Sequence, residues 1–469
     1  MKTILKSLIL MAVLLTSSHA FAFDFEVDGI YYNITSEADK TAEVTWETDY
    51  YYSGEIVIPE TVTYESVTYK VTSIGDYAFD SCESLTKITF PKSITSIGEE
   101  VFWGCSGLIS IIVEEGNSVY DSRDNCNALI ETATNTLILG CNSTIIPNSV
   151  AKINADAFWE CDGLTSITIP KSVTSIEAGA FWSCSGLTTI IVEEGNSVYD
   201  SRDNCNALIE TATNTLILGC KSTTIPNSVV IIGESAFNEC SNLTTITIPN
   251  SVTTIRYNAF GWCEGLTSIT IPKSVTSISN AIFSGSSNIT TIIVEEGNTV
   301  YDSRDNCNAI IETSKNKLNH GCKSTIIPNS VTWIDSYAFY GNKGLTSITI
   351  PNSITRIDWA AFYDCSNLTT IYCMPTTPPK GSTPFSNATF EQAVLYVPVG
   401  CQSAYEAADY WSKFLNIEEK DIPSVEPSIV DDSERVTPEY YNLQGVKVAN
   451  PERGLYIKRQ GNKTTKVVL

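Results

Sequence analysis

Residues that build catalytic and metal sites are scarce in this sequence. Its 469 residues include two histidines. His19 lies within residues 1–22, which are predicted below to be a cleaved signal peptide, so Ser-His-Asp and Cys-His arrangements would both depend on His320. A histidine metal site needs more than one such ligand, and no Cys-x-x-Cys spacing is present to hold structural zinc. We therefore expect no catalytic residue, no metal site and no cofactor.

Positive charge and long apolar runs are also scarce. The chain has 29 Lys and Arg against 53 Asp and Glu, a net charge of −24, and phosphate binding needs clustered basic residues, so no nucleic-acid partner is expected. No stretch after residue 22 has the length of a membrane span. Residues 1–22 combine Lys2, Lys6, an apolar run and the triplet Ala20-Phe21-Ala22, which predicts a secretory signal peptide and a secreted or outer cell-surface protein.

Internal repetition is what the sequence has in abundance. Residues 111–141 recur without change as residues 190–220, and an edited third copy spans residues 292–322. An enzyme site needs to be built only once. A stack of interchangeable structural units, in contrast, accommodates copies of the same segment.

A shorter frame underlies these copies: I-x-x-x-A-F-x-x-C-x-x-L-T-x-I-x-I-P-x-S-V-T-x. It repeats every 23 residues, or every 56 where a 33-residue addition intervenes. Val101 and Ile282 replace the frame alanine, and Ser286 and Asn342 replace the frame cysteine, exchanges that packing positions tolerate. The frame phenylalanines are Phe79, Phe102, Phe158, Phe181, Phe237, Phe260, Phe283, Phe339 and Phe362.

Each 23-residue unit predicts one coil of a stack. From Ser166, inward Ile167 and Ile169 alternate with polar residues, which indicates a half-buried strand, and Pro170 ends it. Phe158 lies upstream in a short turn-like arc as the large core residue. A unit of this size cannot bury its apolar face alone, so each coil is predicted to be covered by the next.

The frame resembles the leucine-rich repeat of the BspA-like (Treponema-type) cell-surface proteins of Bacteroidetes. The likeness covers residues 74–373 and extends to the long insert. It implies a right-handed repeat solenoid of strands and turns, with some short helix and capping segments. It also implies a non-enzymatic role in adhesion, with protein or glycoprotein ligands outside the cell such as host matrix proteins or other cells.

The flanks of the array predict the remaining domains. Residues 23–72 alternate as strands and are placed to cap the solenoid of residues 73–373. Residues 374–418 begin with MPTTPPKGSTPF, which we expect to be incompatible with another regular coil, and continue as a C-terminal cap. An acidic linker spans residues 419–436. Residues 437–469 read as short strands and look like a small C-terminal β-module for sorting or anchoring.

The 15 cysteines suggest disulfides at first sight, because the protein is predicted to be exported. Seven of them share one inward frame position and are expected to be buried free thiols. These are Cys82, Cys105, Cys161, Cys184, Cys240, Cys263 and Cys365. Six more form pairs within predicted hairpins. Each pair could form a cross-strand disulfide or remain as two buried thiols. The pairs are Cys126 and Cys141, Cys205 and Cys220, and Cys307 and Cys322.

Outward positions on the predicted strands form the candidate binding face. Half of them carry threonine, and the other half carry a large apolar residue. The face comprises Ile112, Thr168, Ile191, Thr247, Thr270, Ile293, Thr349 and Tyr372. Repeated weak contacts along such a face would add up by avidity. The alternative is that a neighbouring insert covers the isoleucines.

Two other functions are weighed against binding. The array could be a structural spacer that projects its terminal modules. An exported glycan-processing enzyme would need two carboxylates in different environments across a cleft. The recurring pairs Glu114-Glu115, Glu193-Glu194 and Glu295-Glu296 instead look like solvated turns. Non-catalytic binding is therefore the predicted function.

Overall fold

The computed structural model describes most of the chain between the predicted leader and the predicted linker. The described parts are residues 23–47, residues 51–421 and the strands at 439–441, 447–448, 455–460 and 463–468. The predicted signal peptide at 1–22 lies outside the described residues, as does 422–438, which holds most of the predicted linker.

Successive coils stack their frame strands into a first column. In Ser166–Ile169 the two isoleucines are buried while Ser166 and Thr168 are exposed, as the period-two pattern predicts. This strand pairs in parallel with Thr189–Val192, one repeat further on. The other strands of this column are Gly54–Val57, Leu85–Phe90, Ser110–Val113, Ser268–Ile271, Thr291–Val294, Ser347–Ile350, Thr370–Cys373, Val394–Pro398 and Asn416–Lys420.

Short strands that follow the prolyl turns form a second column. Lys152–Ile153 pairs in parallel with Ser175–Ile176, and its Ile153 is buried. The two columns enclose the buried apolar residues between them. The other coil strands of this column are Val67–Ile74, Ser96–Ile97, Ile231–Ile232, Thr254–Ile255, Ser277–Ile278, Trp333–Ile334, Arg356–Ile357 and Lys380–Gly381.

The 33-residue additions join the second column. In the first copy, Tyr120–Asp121, Leu129–Glu131 and Thr136–Leu139 are antiparallel, and the last pairs in parallel with Lys152–Ile153. Strand pairing in the first column is interrupted at each insert. The other insert strands are Tyr199–Asp200, Leu208–Glu210, Thr215–Leu218, Tyr301–Asp302, Ala309–Glu312 and Lys317–Gly321; the 3-10 turns are Arg123–Asn125, Arg202–Asn204, Arg304–Asn306 and Thr313–Lys315.

Copied polar residues hold each insert to the preceding coil. The amide of Asn117 donates to two carbonyls of that coil and accepts from two backbone amides of its own turn, so its hydrogen-bonding capacity is used fully. Asn196 and Asn298 make the same bonds. Arg123 forms a two-pronged ion pair with Asp121. The exact copying therefore preserves the turn that fixes each insert to the coil before it.

The frame phenylalanines stack along the core, as the repeat frame predicts. Phe158 and Phe181 are stacked with their centroids 4.9 Å apart; Phe339 and Phe362 repeat that geometry. All nine are buried except Phe102, which is partly buried. The predicted repeat solenoid is confirmed, and its buried apolar residues form four clusters that meet at the inserts.

Each insert puts a glycine where a regular coil has phenylalanine. A Cβ added to any of these glycines would lie far inside van der Waals contact with the next phenyl ring. The backbone itself therefore covers the ring. The three pairs are Gly140 with Phe158, Gly219 with Phe237, and Gly321 with Phe339.

Frame cysteines tie neighbouring coils together. The thiol of Cys184 donates to the carbonyl of Phe158 at 3.1 Å, and Ser286, at the same frame position, donates to Phe260 at 2.7 Å. Burial raises the pKa of Cys184 well above its usual value, so the group stays a thiol. The expectation of buried free thiols is confirmed, with Cys240 only partly buried.

The three candidate disulfides are not formed, which departs from the disulfide alternative. Cys126 lies at the end of the 3-10 turn and its thiol bonds to Ala128, whereas Cys141 bonds to the carbonyl of Asn127. The turn displaces Cys126 from the ladder, so it does not face Cys141 across the strands. The cysteines that remain thiols are Cys126, Cys141, Cys205, Cys220, Cys307 and Cys322.

An antiparallel segment covers the first coil. Tyr52 packs on Phe79 with ring centroids 4.8 Å apart and donates its hydroxyl to the carbonyl of Thr45. The aromatic ring thereby shields the exposed end of the core, as a solenoid cap must. The strands of this segment are Phe25–Val27, Ile30–Ser36, Thr41–Thr45 and Thr61–Tyr64.

The Pro-rich segment forms one more coil, so the expectation that it could not is wrong. Lys380–Gly381 pairs in parallel with Arg356–Ile357, and Phe385 stacks on Phe362 at 5.3 Å. The segment keeps the coil path because aromatic residues of the following cap bind its carbonyl groups. Trp411 donates to Pro379 at 2.9 Å.

Short helices complete this end of the unit. The α-helix Asn387–Gln392 begins after Ser386, whose side chain accepts from the amide of Thr389, a standard N-cap. A second α-helix, Gln402–Glu406, and the 3-10 turn Tyr410–Lys413 follow. Their aromatic side chains cover the last coil.

One compact unit extends to Glu419 and a second begins at Lys420. The second contains a four-stranded antiparallel sheet. Its strands, in spatial order, are Lys447–Val448, Glu439–Tyr441, Leu455–Gln460 and Lys463–Val468. Among the described residues of the chain, no helix is long and apolar enough to cross a bilayer.

Candidate binding face

The first column brings most of the predicted face residues side by side. Parallel register places each threonine next to the outward residue of the following coil, about 4.8 Å away in such a sheet. The neighbouring pairs are Thr168 with Ile191, Thr270 with Ile293, and Thr349 with Tyr372. Ile112 lies beside Thr89. Thr247 is exposed but belongs to no strand.

The isoleucines of this face are open to solvent. Ile112, Ile191 and Ile293 are 39%, 46% and 47% exposed, so the adjacent inserts do not cover them. Single exposed apolar residues are ordinary on a protein surface. Here, however, the same exposure recurs at equivalent positions of three units.

Sequence reasoning missed three further exposed isoleucines: Ile109, just before the first insert, and two within inserts. Ile145 and Ile326 are 75% and 52% exposed and each immediately precedes the Ile-Pro pair of an insert. The sequence did indicate these two residues: in the letters TIIP, the first isoleucine occupies the outward position at which the frame has threonine. At the closing end, Tyr372 stacks on Tyr396 with centroids 5.2 Å apart, and the latter residue was also missed.

The recurring carboxylate pairs hold turns. The side chain of Glu114 accepts a hydrogen bond from the amide of Lys92, and Glu193 accepts from the amide of Lys171 at 3.1 Å. The first acid of each pair is thus engaged with the coil before it. Within the described residues, no group of three or more His, Cys, Asp and Glu side chains could hold a metal ion.

His320 is a packing residue of the third insert. Its ring is 2% exposed, its Nε2–H donates to the carbonyl of Ser279 at 3.0 Å, and it meets Phe283 edge-on. Burial lowers the pKa of His320 to about 4. The imidazole is therefore neutral near pH 7 and is engaged with a backbone carbonyl and a phenyl ring.

Comparison with known proteins identifies the repeat. The family described as "BspA type Leucine rich repeat region" matches the sequence in six copies. The matched residues are 59–136, 137–217, 217–313 and 305–401. A search of curated proteins found no match.

Solved structures with a similar chain path include three bacterial proteins. A leucine-rich cell surface protein of Faecalibacterium prausnitzii is 23% identical over 85% of this chain and 95% of its own, with a TM-score of 0.35. A leucine-rich repeat protein of Eubacterium ventriosum is 21% identical over 84% and 92%, with a TM-score of 0.42. The pneumococcal vaccine antigen PcpA is 19% identical over 86% and 100%, with a TM-score of 0.39.

Proposed function

Because the chain belongs to the BspA-type leucine-rich repeat family, we propose that it is a non-enzymatic binding protein of the cell surface or extracellular space. Its ligands are proteins or glycoproteins, among them host matrix proteins or the surfaces of other cells. The outcome of binding is adhesion. The observation that carries this proposal is the exposure of Ile112, Ile191 and Ile293 at equivalent positions of one strand column.

The face supports weak contacts that are made several times. Burying exposed apolar area against a partner contributes about 25 cal/mol per Å², so each isoleucine supplies only a modest share. Linked sites on one rigid column, however, strengthen each other through effective concentration. The flanking threonines Thr168 and Thr270 add hydroxyl groups that can bond to a polar partner.

The carboxylates support a non-catalytic role. Hydrolysis of a glycan needs one acid and one base poised across a cleft. Glu114 and Glu193 instead accept hydrogen bonds from backbone amides of neighbouring coils. His320 is neutral and buried.

A variant of the full chain with Ile112→Thr, Ile191→Thr and Ile293→Thr tests the proposal. Threonine occupies the outward position in neighbouring coils, so the fold should be retained. We expect binding to a panel of immobilised extracellular-matrix proteins to weaken at least about tenfold, the effect of about 1.4 kcal/mol. Surface plasmon resonance measures the affinity, and circular dichroism checks the fold.

The matched control replaces Val399 and Leu415 by threonine, since both are exposed apolar residues of the C-terminal cap. The control should bind as the wild type does. Unchanged binding by the triple variant, or a wild-type chain that binds nothing on the panel, would contradict the proposal and favour a spacer role.

A further inference from the structure

A groove of about 500 Å³ lies beside the first insert. It is lined by Phe102, by Leu139 of the insert hairpin and by three tryptophans, Trp103, Trp159 and Trp182. The groove is distinct from the strand face, because these tryptophans lie on the arcs that carry the frame phenylalanines. Its volume is in the range of ligand pockets.

The three tryptophan rings pack against one another in a row. Trp103 and Trp159 meet edge to face with ring centroids 5.4 Å apart, and Trp159 and Trp182 repeat this spacing. The indole surface that lines the groove can attract a cation, because the face of an aromatic ring is electron-rich.

The charged side chains known to line the groove are acidic. Glu99, Glu100 and Asp156 line it, and no lysine or arginine is among the described residues that do. Among the ion pairs of the described residues, none involves these three carboxylates. Burial raises the pKa of Asp156, as expected for a carboxyl group without a counter-charge. The groove is therefore complementary to a cation.

The groove combines indole rings and carboxylates in one lining. The aliphatic stem of a lysine or arginine side chain can pack on the rings while its charge meets the carboxylates. This favours a basic side chain of a protein segment over a small inorganic cation.

The other two inserts lack this arrangement. In the second copy, Asn238 and Gly261 stand where the first has Trp159 and Trp182. In the third copy, Tyr340 and Tyr363 stand at these positions and line an aromatic pocket with no carboxylate among its described residues. The acidic lining is therefore what distinguishes the groove of the first insert.

We propose that this groove binds a lysine or arginine side chain on a basic segment of a protein partner. The proposal rests on the proposed binding function and adds a partner chemistry at a second site. The net charge of −24 attracts such a segment at long range, and the groove then selects the individual cation.

In the test, the full chain is titrated with a ten-residue peptide of alternating glycine and arginine at physiological ionic strength. Isothermal titration calorimetry measures the affinity. One variant combines E99Q, E100Q and D156N; a second is W159N, which places the residue of the second copy. Each is expected to lower the affinity at least about tenfold. The control combines E115Q, E194Q and E296Q, which removes the same charge from exposed turns and should change the affinity less than about twofold.

Equal losses in the groove and control variants would reduce the effect to general charge attraction and overturn the proposal. So would unchanged binding by W159N, or saturable binding of neutral oligosaccharides in place of the peptide. The Ile→Thr variant of the strand face should bind the peptide normally. If that variant no longer binds matrix proteins, the peptide titration still tests the groove, because the two sites are separate.

Discussion

At the scale of single residues, Gly219 shows how the inserts fit the core. Its φ lies outside the left-handed region, so its role is to leave space for the ring of Phe237. Gly219→Ala should lower the free energy of unfolding by about 1–3 kcal/mol, the usual effect of overpacking. Urea denaturation measures the loss. In a Phe237→Leu background the same change should cost less; equal costs in both backgrounds would argue against a steric origin.

His320 should make stability pH-dependent in acid. Its folded pKa of about 4 lies below the usual value near 6.5, so between these limits the unfolded chain binds more protons. The contribution of His320 is therefore complete above pH 6.5 and is lost as pH falls through this window, by up to about 3 kcal/mol. Denaturation curves at a series of pH values measure it.

His320→Leu is the matched control, because Leu139 and Leu218 occupy this position in the other copies. The variant should lose less stability than the wild type between neutral pH and about pH 4. Carboxyl groups titrate in both proteins, so only the difference between them reports on the imidazole. Identical pH dependence in the two proteins would refute the assignment.

At the scale of one element, the third hairpin carries a buried ion cluster. The ammonium of Lys317 lies 2.6 Å from Asp335 and 3.2 Å from Glu312. Lys317→Thr, the residue of the first copy, should destabilise the protein by about 3–5 kcal/mol because it leaves the buried carboxylate of Asp335 without its cationic partner, whereas Glu312 keeps Lys315. The double change K317T/D335N should recover most of this loss. Urea denaturation of both variants measures it, and a double variant no more stable than K317T would contradict the account.

The strands could be predicted because their pattern is local and repeated. Ser166–Ile169 follows from alternation and a terminal proline. The position of Cys126 could not, since a single 3-10 turn shifts it out of the ladder. The coil at Lys380–Gly381 was equally hidden, because it depends on carbonyl contacts from Trp411, more than twenty residues later.

The binding face could be predicted only in part. The frame placed Ile112 and Ile191 on the outward side of a strand. Their exposure depended on where the inserts fold, which no local pattern shows. The groove beside Trp159 was invisible for a similar reason: its tryptophans are far apart in the sequence and meet only after the insert has joined the second column.

At the scale of the whole chain, the repeats predict tolerance to removal of a full unit. Deleting residues 112–190 joins Ile111 to Ile191 and leaves the sequence across the junction unchanged. The shortened chain should fold, with a smaller denaturant m-value because less surface is exposed on unfolding. Circular dichroism and urea denaturation test this. Deleting 112–179 breaks the frame and should abolish cooperative unfolding; equal behaviour of the two deletions would contradict the repeat account.

The identity of residues 111–141 and 190–220 also bears on how the chain finds its native pairing. Because the two segments have the same sequence, nothing within either of them determines which position in the solenoid it occupies. A growing solenoid in one molecule can therefore be extended by the matching segment of a second molecule as readily as by its own. Refolding at high protein concentration favours such exchanged assemblies. Differences in the flanking coils, such as Trp159 after the first copy and Asn238 after the second, oppose them.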